Sequence, residues 1–167
     1  GCVEQIQYEV KMISFSLNWF VLFLLTFFIM EFNAWVLHKY VMHGFLWSLH
    51  KDHHVVDKSR WWQFNDFFAI FFAVPSFLSI LFSKLNQWPL LGAIGFGVMA
   101  YGIAYFFVHE VVIHKRINFK GLNKGRYIKG LKAAHHVHHS NKMKDGGVNF
   151  GMLVVPYKYF KPILKKT

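Results

Sequence analysis

An all-α integral membrane protein with a polar helical cap is the fold class this sequence predicts, and three observations predict it. Apolar residues make up 54% of the 167 and charged residues only 16%, yet the formal net charge is +11. A chain that is apolar on average and also strongly basic keeps the two properties in separate segments, as membrane proteins do. The apolar residues fall into three long runs, and all eleven histidines lie outside those runs, on one side of the bilayer that the runs define.

The first run, Ile13 to Leu37, reads "ISFSLNWFVLFLLTFFIMEFNAWVL" and is broken by a single charge, Glu31. It exceeds the roughly 20 apolar residues a helix needs to cross a bilayer. The second, from Phe67 to about residue 83, carries Pro75, which kinks a spanning helix without forbidding it. The third, Trp88 to Val108, contains glycines suited to close helix packing. Only the segment around Lys84 separates runs two and three, so they form a tight hairpin. At this length the expectation is one domain, 1–167, with spans at about 13–37, 67–83 and 88–108.

Three crossings put the block from His38 to Asp66 and everything from His109 onward on the same face. Lys11 and Lys84 alone stand on the other, leaving 17 of the 19 basic residues beside the histidines. The positive-inside rule then makes the histidine face and the C-terminus cytoplasmic. The C-terminal charge reads either as a solvated face beside anionic headgroups or as a docking surface. No nucleic-acid motif accompanies it, so nucleic acid is not expected as a partner. A cleaved signal peptide is not expected, because the run from Ile13 is too long for one. The lone cysteine, Cys2, excludes an intrachain disulfide and a cysteine zinc site, so the metal question falls on histidine.

The histidines form four boxes. His38 and His43 make HxxxxH at the end of run one, and His50, His53 and His54 make HxxHH shortly after. His109 and His114 repeat HxxxxH at the end of run three, and His135, His138 and His139 repeat HxxHH; His136 is left over. By chance one HxxHH would arise in roughly 5% of shuffled chains of this composition, so two of them, each preceded by HxxxxH, are a specific signal. On an α-helix the i, i+3 and i+4 positions share a face, so each HxxHH can present three imidazoles to one side. The ends of HxxxxH fall roughly 140° apart at about 100° per residue. Either each serves a different metal, or the helix unwinds, with Gly44 as a place to do so.

Ten imidazoles exceed what one ion can bind and suit two first-row metals with about five nitrogens each. Imidazole accepts iron, zinc, copper or nickel alike. The Glu-x-x-His pairs of soluble di-iron bundles are missing. Ligating histidines donate their other N–H to an acceptor. Glu31, two turns before His38 on the same stripe and costly in an apolar span at about 2.5 to 3.5 kcal/mol, is the first candidate. Asp52 and Glu110, adjacent to boxes, are weaker ones, and His136 could assist or replace a neighbour.

Four boxes in this order, flanking a membrane hairpin, resemble the fatty-acid-hydroxylase and sterol-desaturase superfamily of membrane non-haem di-iron enzymes. Within it, "HKYVMHGFLWSLHKDHH", "FVHEVVIHKR" and "AHHVHHS" are similar to the bacterial β-carotene hydroxylases, over about residues 30 to 155. The resemblance implies a monooxygenase that uses O2 to hydroxylate β-ionone rings at C3 and C3′, giving β-cryptoxanthin and zeaxanthin. It implies two iron ions held by the ten box histidines, with zinc as a substitute in preparations, and no catalytic residue beyond these ligands. It also implies a bacterial inner membrane, a carotenoid entering from that lipid bilayer and electrons from a ferredoxin-type donor. A fatty-acid or sterol hydroxylase or desaturase remains the alternative within the superfamily, since boxes specify the oxidant and cavity shape the substrate. A membrane metal transporter is the alternative outside it, disfavoured because its ligands should lie at mid-membrane.

Overall fold

The computed structural model describes residues 1–55, 60–117 and 125–161. Lys58, Lys120, Lys124, Lys165 and Lys166, counted above on the basic face, lie outside the described residues. Among those described there is no strand. Helix α1 spans Cys2–Val36, α2 Trp47–His54, α3 Phe67–Asn86, α4 Pro89–Phe106 and α5 Arg126–Ser140. Two π-helical segments, Leu37–Phe45 and Phe107–Ile113, extend α1 and α4.

Three helical stretches are long and apolar enough to cross a membrane: Cys2–Phe45, Phe64–Asn86 and Pro89–Ile113. Each agrees with one of the three runs. Helix α1 starts eleven residues earlier than the first run, at Cys2. At 35 residues it reaches about 52 Å, more than the roughly 30 Å of a hydrocarbon core. Pro75 sits inside α3 without ending it. The outward side chains of these helices are aromatic and aliphatic, with Phe28 67%, Phe32 64% and Phe77 64% exposed. Surfaces of this kind are stable only against lipid.

Helix α4 is the middle of the three, and glycine lets its neighbours approach. A Cβ on Gly95 would stand 2.7 Å from Ile80 Cγ1 and 3.0 Å from the Ser76 carbonyl, and one on Gly97 would stand 2.8 Å from the Phe23 carbonyl of α1. Ser76 Oγ donates to the Gly95 carbonyl at 2.8 Å, tying the hairpin together inside the apolar layer. The turn between α3 and α4 closes with Gln87 in the left-handed region (φ 55°) and Pro89 as the first residue of α4, where its missing N–H costs nothing.

Of the five largest fully buried side chains among the described residues, four are histidines: His50, His53, His109 and His138, each 2% exposed or less, beside Leu131. A core built of imidazole needs a reason, since a buried polar group without a partner costs on the order of 1–3 kcal/mol.

Candidate metal centre

The first question is how HxxxxH can act as a pair. In an α-helix it cannot, but both boxes lie in π-helical segments. A π-turn closes i to i+5, which places the fifth residue over the first. In the second box this bond joins the box ends directly, the His114 N–H donating to the His109 carbonyl at 2.9 Å. In the first, the Leu46 N–H reaches back to the Val41 carbonyl at 3.0 Å. Gly44 then breaks the helix (φ −104°, ψ −124°), so that α2 turns back under it. Of the two expected outcomes, division of each pair between different metals does not occur: His38 and His43 share one nest and His109 and His114 the other. The break at Gly44 is present, but it follows His43, and the π-winding, which was not expected, is what turns each pair to one point.

The HxxHH boxes divide. His50 and His54, one turn apart on α2, join His38 and His43; the residue between, His53, faces the other way. His135 and His139 of α5 join His109 and His114, and His138 crosses over. Two nests result, His38–His43–His50–His54–His138 and His53–His109–His114–His135–His139, each with five donor atoms within 4.8 Å of one another. A three-imidazole face on each HxxHH, expected from the spacing, is therefore replaced by a two-plus-one split: i and i+4 stay together and i+3 is exported. The nests share a wall, the rings of His54 and His139 stacking at 4.6 Å.

The tautomers follow from what the outer nitrogens touch. In the first nest every Nδ1 donates to an oxygen: His38 to the Phe150 carbonyl (3.0 Å), His43 to Lys144 (3.0 Å), His54 to Asn141 (3.0 Å), His138 to Val148 (2.8 Å) and His50 to Asn65 Oδ1 (2.6 Å). A neutral imidazole that donates from Nδ1 has only a lone pair at Nε2. Those lone pairs face one another, at 3.1 Å for His38 and His50, 3.2 Å for His43 and His54, and 3.4 Å for His43 and His138. No proton is available to lie between them, and a cation at their centre would satisfy all of them at once. In the second nest His53 donates to Gln63 Oε1 (3.0 Å) and His109 to Glu110 Oε1 (2.6 Å), with their Nε2 atoms 3.0 Å apart. His114 and His135 meet through Nε2 at 2.9 Å. His139 Nε2 is buried with no hydrogen-bond partner among the described residues. With metal–imidazole bonds of about 2.0–2.1 Å, nitrogens sharing one ion stand no more than about 4.2 Å apart, and the 2.9–3.4 Å separations in both nests would let these histidines hold a first-row ion.

Burial keeps the imidazoles beyond the spans neutral. It pushes His50 down to about 2, His54 to about 4, and His114 and His138 to about 3. Burial, followed by neighbouring imidazoles, holds His53, His135 and His139 well below the ordinary range. Neutral imidazole is the ligating form.

The acidic residues take different places. Glu31 was expected behind His38, but the acceptor there is Phe150. The Glu31 carboxylate lies one link farther out: Oε1 accepts the N–H groups of Met152, Leu153 and Val154 at 2.9–3.0 Å, and Oε2 accepts from Tyr101 Oη at 2.7 Å. Three converging amides hold an anion better than one imidazole does, and they pin the segment that carries the Phe150 carbonyl. Asp52 touches no histidine by hydrogen bond among the described residues; its Oδ2 accepts the Phe64 N–H at 2.6 Å, between Gln63 and Asn65. Glu110 stands against His109, as given above. His136 is exposed and belongs to neither nest. Sequence reasoning passed over Gln63, Asn65 and the carbonyls of 141–150. The signals were a Gln and an Asn just ahead of an apolar span, and the glycines at 146 and 147. Gly146 adopts φ +78°, and a Cβ on Gly147 would stand 3.0 Å from the Phe150 ring and 3.4 Å from His43.

The comparisons with known proteins fit this geometry. The chain belongs to the fatty acid hydroxylase family, which it matches over residues 23–158. It is 41% identical to the β-carotene hydroxylase of Pantoea ananas over 127 residues, 76% of this chain and 71% of that protein. It is 37% identical to the one from Pseudescherichia vulneris (74% and 69% covered) and 34% identical to the one from Paracoccus sp. strain PC1 (82% and 84% covered). No solved structure shows a significant match.

Proposed function

We propose that this chain is a membrane hydroxylase that acts on the β-ionone rings of β-carotene, adding hydroxyl groups at C3 and C3′ to give β-cryptoxanthin and then zeaxanthin. One observation carries the chemistry: two five-histidine nests, with their lone pairs turned inward, at the end of the spans of a fatty acid hydroxylase family chain. The names of its bacterial relatives support the substrate.

The ten box histidines hold two iron ions, one in each nest, and zinc can occupy the same nitrogens. When bound, the iron pair supplies the O2-dependent oxidation that an unactivated ring C–H requires. The protein's own part is to keep ten imidazoles neutral, fix their tautomers through the outer oxygens, and exclude water with a cap in which His53 and His138 are 1% and 0% exposed. The substrate reaches this cap from the bilayer, since the helices beneath it are covered in exposed aromatic side chains. An anionic ferredoxin-type donor suits the basic residues around the cap, opposite charge speeding encounter.

The whole chain acts as one domain, with the cap and C-terminus in the cytoplasm of a bacterial cell. Reporter fusions after Lys84 and after Lys166 should lie on opposite sides of the membrane; both on one side would contradict the topology. Expression in a host that makes β-carotene should convert the pigment to zeaxanthin by chromatography. Unchanged β-carotene, with hydroxylated fatty acids or sterols instead, would move the assignment to another branch of the family. A metal-transport reading has no matching feature, because the ligands cluster at the span ends in a closed cap.

A further inference from the structure

The walls behind the two nests differ, although the histidine pattern repeats. All five outer nitrogens of the first nest donate to uncharged oxygens, four of them backbone carbonyls and the fifth the amide of Asn65. Behind the second nest runs a closed ring of contacts that includes three charges. His109 Nδ1 donates to Glu110 Oε1 at 2.6 Å, and Glu110 Oε2 lies 2.9 Å from Arg116 Nε. Arg116 Nη1 contacts both oxygens of Asp66, at 3.0 and 3.1 Å. Asp66 Oδ2 accepts the Gln63 N–H at 3.0 Å, and Gln63 Oε1 accepts from His53 Nδ1 at 3.0 Å. The ring returns inside the nest, where the Nε2 atoms of His53 and His109 are 3.0 Å apart. Two carboxylates and one guanidinium leave this wall with one net negative charge, and the Glu110 side chain is only 8% exposed.

Resting on the two-metal reading above, we infer that the two metal positions are unequal. The nest of His53, His109, His114, His135 and His139 binds a cation more tightly than its neighbour, because Glu110 backs one of its ligands. A carboxylate accepting the Nδ1 proton makes the imidazole a stronger base at Nε2, and its charge, little screened at this burial, attracts the ion directly. Glu110 is thus a positioning and tuning residue that acts through His109. The Arg116 guanidinium, 2.9 Å from its second oxygen, pairs with it by charge without a hydrogen bond. Asn65 marks the same place in the first nest: its Oδ1 stands 2.6 Å from His50 Nδ1, the separation Glu110 keeps from His109. Asn65→Asp therefore installs in the first nest the group the second already has, at almost constant volume.

The test is calorimetric titration of the metal-free, detergent-solubilised full chain with Zn2+ alone, which reads ligand strength without redox or turnover. The unaltered chain should take up two ions in resolved steps. Glu110→Gln should weaken one step by about 10- to 100-fold and leave the other in place. Asn65→Asp should strengthen the weaker step and draw the two together. Should Glu110→Gln fail to fold by circular dichroism, Asn65→Asp decides alone, since steps that stay equally far apart overturn the inference. It is overturned as well if Glu110→Gln weakens both steps alike. Uptake of a single ion by the unaltered chain would instead count against the two-metal reading itself.

Discussion

Each half of the chain supplies an HxxxxH pair wound into a π-turn, an i, i+4 pair from HxxHH, and one histidine exported to the other nest. The nests match ligand for ligand, yet one is walled by the carbonyls of 141–150 and the other by the side chains of Gln63 and Glu110, with Arg116 and Asp66 behind. Ligand count follows from a short repeated pattern, whereas the wall is assembled from whatever the fold brings past it. Two sites with the same ligands can therefore differ in strength, and the exported residues bind the two halves to each other.

The exported histidines should be the most damaging to lose. His53→Ala or His138→Ala removes a ligand from one nest and a link between the halves, and leaves buried donors facing a hole. Activity should vanish and metal content fall, as read by product chromatography and elemental analysis, while His136→Ala, exposed and outside both nests, should keep most of both.

Acid should act next most strongly, and on both nests. His50, His54, His114 and His138 have their proton affinity lowered on folding, to about 2, 4, 3 and 3. The unfolded chain then binds protons that the folded cap does not, once the pH falls below the ordinary histidine value of about 6.5. The metal-free cap should be stable above that value and lose stability steadily from about pH 6.5 down towards pH 3. Thermal unfolding followed by circular dichroism across this range checks the sign; a cap that gains stability on acidification would contradict it.

Smaller effects should separate the walls. Glu31 holds the 152–154 backbone, and through it the segment that supplies carbonyls to the first nest. Glu31→Gln keeps one acceptor but loses the charge, so it should cost about 1–3 kcal/mol of stability and weaken only one of the two metal-binding steps. Tyr101→Phe removes a single donor to Glu31 and should cost about 1 kcal/mol. Equal loss at both steps in Glu31→Gln would show that the segment serves both nests.

The division between what could be read in advance and what could not has a physical basis. The three spans were legible because apolar runs of that length have few other uses, and the ten histidines that gather into the two nests because histidine is rare and its spacing repeated. The π-turns were less so: HxxxxH announced a conflict with the α-helical period, and Gly44 one way out, but which of the two outcomes the backbone takes depends on the pull of the whole nest. The split of HxxHH was hidden, since an i, i+3, i+4 triplet on one helix face gives no sign that a second helix will claim its middle member. Backbone carbonyls carry no residue signature at all, so the wall of the first nest had only Gly146 and Gly147 to betray it. Glu31 was singled out as an acid in need of a partner, but its partners are Tyr101, 70 residues on, and the amides of 152–154, more than a hundred residues on, and none is on its own helix.

The central claim is that ten histidines build two metal positions, five to each. Iron analysis of the purified chain after anaerobic loading tests it most directly. Two iron ions per chain in the unaltered protein, falling to one or fewer in His53→Ala, is the predicted result; a single ion per chain, or two that persist without His53, would contradict it.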